Sequence, residues 1–175
     1  LVLLADGMGG YSAGEVAADM AVNLVGSELA QWLEDAPERV SMAAVRQAML
    51  VCVENANQAI LGAALANPQY LGMGTTLVVG VFRGHRLILG HVGDSRCYRL
   101  RGGELRQITR DHSWLQEQID LGLLTPAQAA VSGLGNLVTR ALGVDGEAHA
   151  EINEFAVEPQ DLFILCSDGL SDMVG

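Results

Sequence analysis

At 175 residues the chain is long enough for one domain with a sizeable core, and its 50% hydrophobic content and mean hydropathy of +0.26 point to a generous one. A net charge of −11, with arginine in place of any lysine, argues against a nucleic-acid or anionic-membrane surface and suits solubility or cation binding. No uninterrupted apolar run approaches a membrane span, no secretory leader opens the chain, and Cys52, Cys97 and Cys166 stand far apart among apolar residues, which suggests neither a disulfide framework nor a thiolate cluster and indicates a reducing, cytoplasmic setting.

The chain opens on LVLLADGMGG, an apolar run that stops on Asp6 and is followed by Gly7, Gly9 and Gly10. Asp-Gly is a good turn after a strand. A phosphate-cradling loop fits poorly, because it needs a lysine after its last glycine, and Ser12 stands where a dinucleotide fingerprint has its third glycine. Ser12 with Glu15 reads as a capping box, and Val16, Met20, Leu24, Val25, Leu29 and Trp32 recur at helical spacing, so a helix is expected over about 13–33. Asp35, Pro37 and Glu38 mark the start of a second, longer helix, with Val45, Met49, Cys52, Ala56 and Ile60 on one stripe and an end before Pro68. TTLVVGVF and RLILGHVG then read as a hairpin joined through RGH, and RCYRLRGGELRQI as another turning at Gly102 and Gly103. Ser113 with Gln116, and Thr125 with Gln128, form two more capping boxes, predicting two short helices in an excursion over about 112–137. AEINEFAV and DLFILC make a last hairpin around Glu158, Pro159 and Gln160, and SDGLSDMV leads from a loop into a helix. Two helices, a run of antiparallel hairpins and a small insert predict an α+β layered sandwich.

Three of these strands deliver a carboxylate at or just beyond their C-terminal ends: LVLLAD at Asp6, RLILGHVGD at Asp94 and DLFILCSD at Asp168. If the strands are neighbours, the carboxylates gather at one edge of the core and repel by roughly 4 kcal/mol per pair, for charges about 4 Å apart at an effective dielectric of about 20. Only oxygen donors are on offer, so a hard divalent cation, Mg²⁺ or Mn²⁺, is the natural neutraliser. The alternative is three turn aspartates on separate loops.

ADGMGG followed by Gly14–Glu15, then GTTL, GHVGDSRCYRLRGGEL, ITRDHS, NLVTRALG and LFILCSDGLSDMV, in this order, resemble the metal-dependent serine/threonine protein phosphatases of type 2C in their bacterial form. The resemblance covers essentially the whole chain. It implies a four-layer α-β-β-α sandwich of two antiparallel sheets flanked by helices, with a flap insert over about 112–137 beside a two-metal centre. By motif, Asp6 would bridge two Mn²⁺ or Mg²⁺ ions, the Gly7 carbonyl would hold one and Asp168 the other, while Asp94 with Asp168 and Asp172 would form a third, weaker site. Two cations roughly 3.5–4 Å apart can lower the pKa of a shared water and neutralise phosphoryl oxygens during in-line attack, with no side-chain nucleophile. Asp6 and Asp168 would thus be catalytic through the metals. The implied activity is hydrolysis of phosphoserine and phosphothreonine on proteins, opposing Ser/Thr kinases, by a monomeric enzyme.

Departures from the family pattern are VSGLGN, ending at Asn136, in place of a His-Pro in the flap; Met8 where eukaryotic members carry a histidine; and Tyr11 for another frequent histidine. The family's upstream phosphate-binding arginine and its late Asp-Asn motif are not within residues 1–175, so residues 1–175 are expected to be a phosphatase domain truncated at both ends, with little activity by itself. Among the histidines, His91 reads as a core or supporting residue rather than a ligand, because no His or Cys partner sits at ligand spacing. His112 reads as a loop residue with a flap-hinge role as the alternative, His85 as a turn residue and His149 as a loop residue. No cysteine is followed after five residues by arginine, against a cysteine phosphatase, and Asp6 lacks a second Asp two positions on, against a phospho-aspartate mechanism. Two rival functions are a phosphatase-like module that binds without turnover, which would have little reason to keep Asp6, Asp94, Asp168 and Asp172, and a phosphatase acting on anti-sigma antagonist proteins.

Overall fold

The computed structural model describes residues 1–10, 12–133 and 137–173, so Tyr11, Asn136 and the last two residues of SDGLSDMVG lie outside the described residues. The chain runs through β1 (Val2–Leu4), β2 (Gly7–Met8), α1 (Ala13–Asp35), α2 (Met42–Ala66), β3 (Gly74–Thr75), β4 (Leu77–Arg83), β5 (Arg86–Val92), β6 (Arg96–Arg101), β7 (Glu104–Gln107), α3 (Trp114–Asp120), α4 (Pro126–Val131), β8 (Glu151–Ala156), β9 (Leu162–Cys166) and α5 (Asp168–Ser171). One antiparallel sheet has the order β1-β4-β5-β8, a second the order β7-β6-β9, and β2 pairs with β3 as a short ribbon.

Side-chain alternation along the central strands explains the layering. Leu77, Val79 and Val81 of β4, with Ile88 and Val92 of β5, join Val25, Leu29, Val45, Met49 and Ile60 of the two long helices in one buried cluster. Val78, Leu87 and Leu89 point the other way and pack with Cys97, Phe155, Phe163 and Leu165 between the sheets. Each such burial stabilises by roughly 1.5–3 kcal/mol, which is why both faces of β4 and β5 read as apolar. The expected α+β sandwich of two antiparallel sheets is observed. The outer face of the second sheet carries exposed Leu105, Leu162 and Ile164, and both long helices lie against the first sheet.

Several local expectations are corrected. Ser12 lies at φ −93°, ψ 8°, away from the extended backbone from which a cap side chain reaches the first-turn amides, and it makes no side-chain cap. The second helix starts at Met42, not near Pro37: residues 37–40 close a turn, and the Ser41 hydroxyl accepts from the Ala44 amide. The last two strands are not a hairpin, since β8 pairs with β5 and β9 with β6 in the other sheet. By length and mean hydropathy alone α2 is long and apolar enough to cross a membrane, although Arg46 and Glu54 interrupt its apolar run. Its Val45, Met49, Cys52, Val53, Ala56 and Ile60 are buried in the core, as a packed helix requires.

Candidate functional site

Strand direction gathers the acidic residues. β1 and β5 each run antiparallel to β4, so they point the same way and their C-terminal ends share one edge of the sheet. Asp6 and Asp94 each lie two residues past those ends. In the second sheet, Cys166 pairs with Arg96, bringing the end of β9, and Asp168 two residues beyond it, beside the loop that carries Asp94. The three carboxylates sense one another. Partial burial and the neighbouring Asp168 carboxylate raise the pKa of Asp6. Asp94 is 6% exposed, and desolvation first, then the charges of Asp168, Asp111 and Asp6, push it up to about 6.

Close backbone approach holds the Asp6 end. Gly7 sits in β2 opposite Thr75, and a Cβ on Gly7 would stand 1.8 Å from the Gly14 carbonyl oxygen in the first turn of α1. Only glycine fits there, which accounts for the Asp-Gly pair. Thr76 supplies the second clamp: its Oγ1 accepts from the Asp6 amide at 3.0 Å, its own amide donates to the Asp6 carbonyl at 3.0 Å, and its hydroxyl meets Ser95 Oγ at 2.7 Å. Thr76 therefore ties the Asp6 loop to the residue after Asp94. Neither Thr76 nor Ser95 was given a role from sequence, although both lie in the GTTL and GDSR motifs.

Asp172 lies one turn after Asp168, its amide donating to the Asp168 carbonyl at 2.8 Å. With Arg96 and Asp111 it lines a cavity of about 450 Å³ whose other wall is Leu115, Ile119 and Ala129 of the insert. The insert leaves and returns beside the site, through a bridge between Ser113 and Val138. α3 and α4 form as expected, with the Ser113 and Thr125 side chains as their caps and the full capping box at Thr125 and Gln128.

The donor set fits a hard divalent cation. Asp94 Oδ2 is buried without a hydrogen-bond partner, a state that costs about 1–3 kcal/mol or more for a charged group unless something positive meets it. Arg96 is committed elsewhere: its Nε and Nη2 hold Asp111 at 2.6–3.0 Å and its Nη1 meets Tyr98 at 3.0 Å. Apart from the acidic set, the side chains of His91, His112 and Glu151 gather with their N and O atoms within 4.8 Å of one another. His91 does therefore have partners, brought from distant parts of the chain. His85 lies in the β4–β5 turn, and exposed His149 lies in the loop before β8.

The family described as Protein phosphatase 2C matches residues 1–175, and the chain belongs to that family. The chain is 41% identical over 174 residues to the serine/threonine protein phosphatase PstP of Mycobacterium tuberculosis (strain CDC 1551 / Oshkosh), covering 99% of this chain and 32% of that protein. It is 34% identical to the serine/threonine phosphatase stp of Listeria monocytogenes serovar 1/2a, over 99% of this chain and 68% of that one. The crystal structure of the PstP catalytic domain in complex with two manganese ions superposes with a TM-score of 0.82 at 39% identity, over 99% of this chain and 69% of that one. The chain thus spans about a third of the length of its mycobacterial relative.

Proposed function

We propose that the protein of which these residues form part hydrolyses phosphoserine and phosphothreonine on proteins with Mn²⁺ or Mg²⁺. The observation that carries this reading is the buried, unpartnered Asp94 oxygen facing the charges of Asp6 and Asp168 at one end of two sheets, with the nearby Arg96 already spent on Asp111. Asp6, the Gly7 carbonyl and Asp168 would hold two ions, and Asp94, Asp168 and Asp172 a third. Such ions, when bound, supply Lewis-acid polarisation of the phosphoryl group and a lowered water pKa.

The chain's own residues hold that acidic set in place. Thr76 fixes the Asp6 backbone at two points, the Gly7–Gly14 approach fixes its loop against α1, and the Arg96–Asp111 pair fixes the entry to the insert. Covalent cysteine chemistry is disfavoured, because all three cysteines are buried and burial pushes the thiols of Cys52 and Cys97 up to about 11 and about 12. A phosphorylated protein segment is the substrate the reading assigns, with a Ser/Thr kinase supplying it. The 112–137 insert, with its cavity beside Asp172, is the flap that would contact such a segment. Three free thiols support a reducing, cytoplasmic setting, where the protein would act as a monomer.

The test is hydrolysis of an aryl phosphate by the full protein. Turnover is expected in Mn²⁺ or Mg²⁺ and abolished by EDTA, and Asp168→Asn is expected to reduce it at least about a hundredfold, because a charged ligand rather than a remote contact is lost. Equal turnover in metal-free buffer would sink the reading.

A further inference from the structure

His112 is 6% exposed and every edge of its ring is engaged. Nδ1 accepts from the Gly93 amide at 3.1 Å, while the His112 amide donates back to the Gly93 carbonyl at 3.0 Å. Nε2 faces Glu151 Oε2 at 3.3 Å, and the ring stacks on His91 with centroids 4.5 Å apart and planes inclined by 13°. The His112 carbonyl accepts from Thr139, and the Trp114 amide donates to Leu137, so both ends of the insert are zipped together at this residue.

These contacts assign the protons. The Gly93 N–H can only donate, so His112 Nδ1 carries the lone pair and Nε2 carries the hydrogen, which it gives to Glu151. The Arg110 carbonyl can only accept, so His91 Nε2, 2.8 Å away, carries its ring's hydrogen. His112 therefore has no free lone pair toward His91 and Glu151. Two stacked rings also cannot both contain one ion in their planes, where imidazole lone pairs point. The trio is a clamp, not a metal site.

What the clamp holds is the residue before Asp94. Gly93 lies at φ +102°, where a Cβ would stand 2.7 Å from Thr76 Cγ2, so its peptide is wedged between Thr76 and His112. Asp94, next in the chain, depends on that peptide for its direction. We propose that His112 is a positioning residue: its Nδ1 accepts from the Gly93 N–H while its main-chain N–H donates to the Gly93 carbonyl, so that Gly93, and through it the Asp94 carboxylate, is held in register with the base of the insert, and divalent-cation binding at Asp94 and the setting of the insert form one coupled unit. This rests on the phosphatase reading for its cation.

The test separates the two edges of the ring. Asn at 112 places its amide oxygen near the position of Nδ1, whereas Gln extends its amide toward the Nε2 edge. His112→Ala, His112→Asn and His112→Gln in the full protein are compared by calorimetric Mn²⁺ titration, by hydrogen exchange at the Gly93 amide and by thermal melting. Ala and Gln are expected to weaken the Mn²⁺ binding that involves Asp94 by about tenfold or more and to speed Gly93 exchange, as loss of a ligand-orienting partner does, with Asn close to wild type in both. Unchanged affinity in a folded His112→Ala protein, rescue by Gln instead of Asn, or failure of the Asn variant to fold would overturn the proposal. Absence of Mn²⁺ binding by the wild-type protein would remove the phosphatase reading and this inference together, whereas wild-type binding with indifferent variants would remove this inference alone.

Discussion

Thr76 shows how one hydroxyl organises the site. It is 2% exposed and joins the Asp6 amide to Ser95, so Thr76→Val, which keeps the shape and removes the hydroxyl, leaves a buried donor unsatisfied. The expected cost is about 1–3 kcal/mol of stability, read by chemical denaturation, with Thr76→Ser recovering most of it. A Val variant as stable as wild type would contradict the role. Residues of this kind were not legible in the sequence because their partners are remote: Asp6 is 70 positions from Thr76, and Gly93 is 19 from His112. Asp6, Asp94 and Asp168 were legible because each ends an apolar strand, a pattern carried by adjacent residues. Their convergence was not, since it depends on β4 separating β1 from β5 and on β9 entering the other sheet.

At the scale of elements, local chemistry was readable where it was self-contained. The two hairpins β4–β5 and β6–β7 and the caps at Ser113 and Thr125 stand where turn and capping residues placed them. The failed hairpin between β8 and β9 is a crossover between sheets, held by a long-range contact: Arg101 binds Asp161 through two bonds of 2.8 and 2.6 Å and also reaches Glu158 and the Ala156 carbonyl. Arg101 holds the Asp161 carboxyl down at about 2, below the usual carboxylate value of about 3.9. A depressed folded pKa contributes stability that is present above the unfolded value and lost as pH falls toward the folded one. Asp161→Asn is therefore expected to lower the melting temperature at pH 7 by a few degrees and to flatten the loss of stability between about pH 4 and pH 2. An identical pH profile for the two proteins would contradict the clasp. The insert makes a separate claim. Exchanging residues 114–131 for the corresponding segment of another family member, with His112 retained, is expected to change kcat/KM on phosphopeptides while aryl phosphate turnover stays within a few-fold. Equal losses on both substrates would make the segment structural instead of selective.

At the scale of the molecule, two sheets and a helix pair act as a frame that aims three strand ends at one point, and net charge of −11 adds to the field that draws a cation there. The layered α+β class was legible from the change of period between helices and strands, whereas the assignment of β8 and β9 to different sheets required the tertiary contacts. Metal-dependent phosphate release is tested most directly on a phosphothreonine peptide with the full protein, as Mn²⁺ is titrated into the chelator-treated chain. No release is expected without metal, saturable release as Mn²⁺ is added, and a rate for Asp168→Asn at least about a hundredfold lower at saturation. Release that is indifferent to Mn²⁺, or an Asp168→Asn protein as fast as wild type, would contradict it.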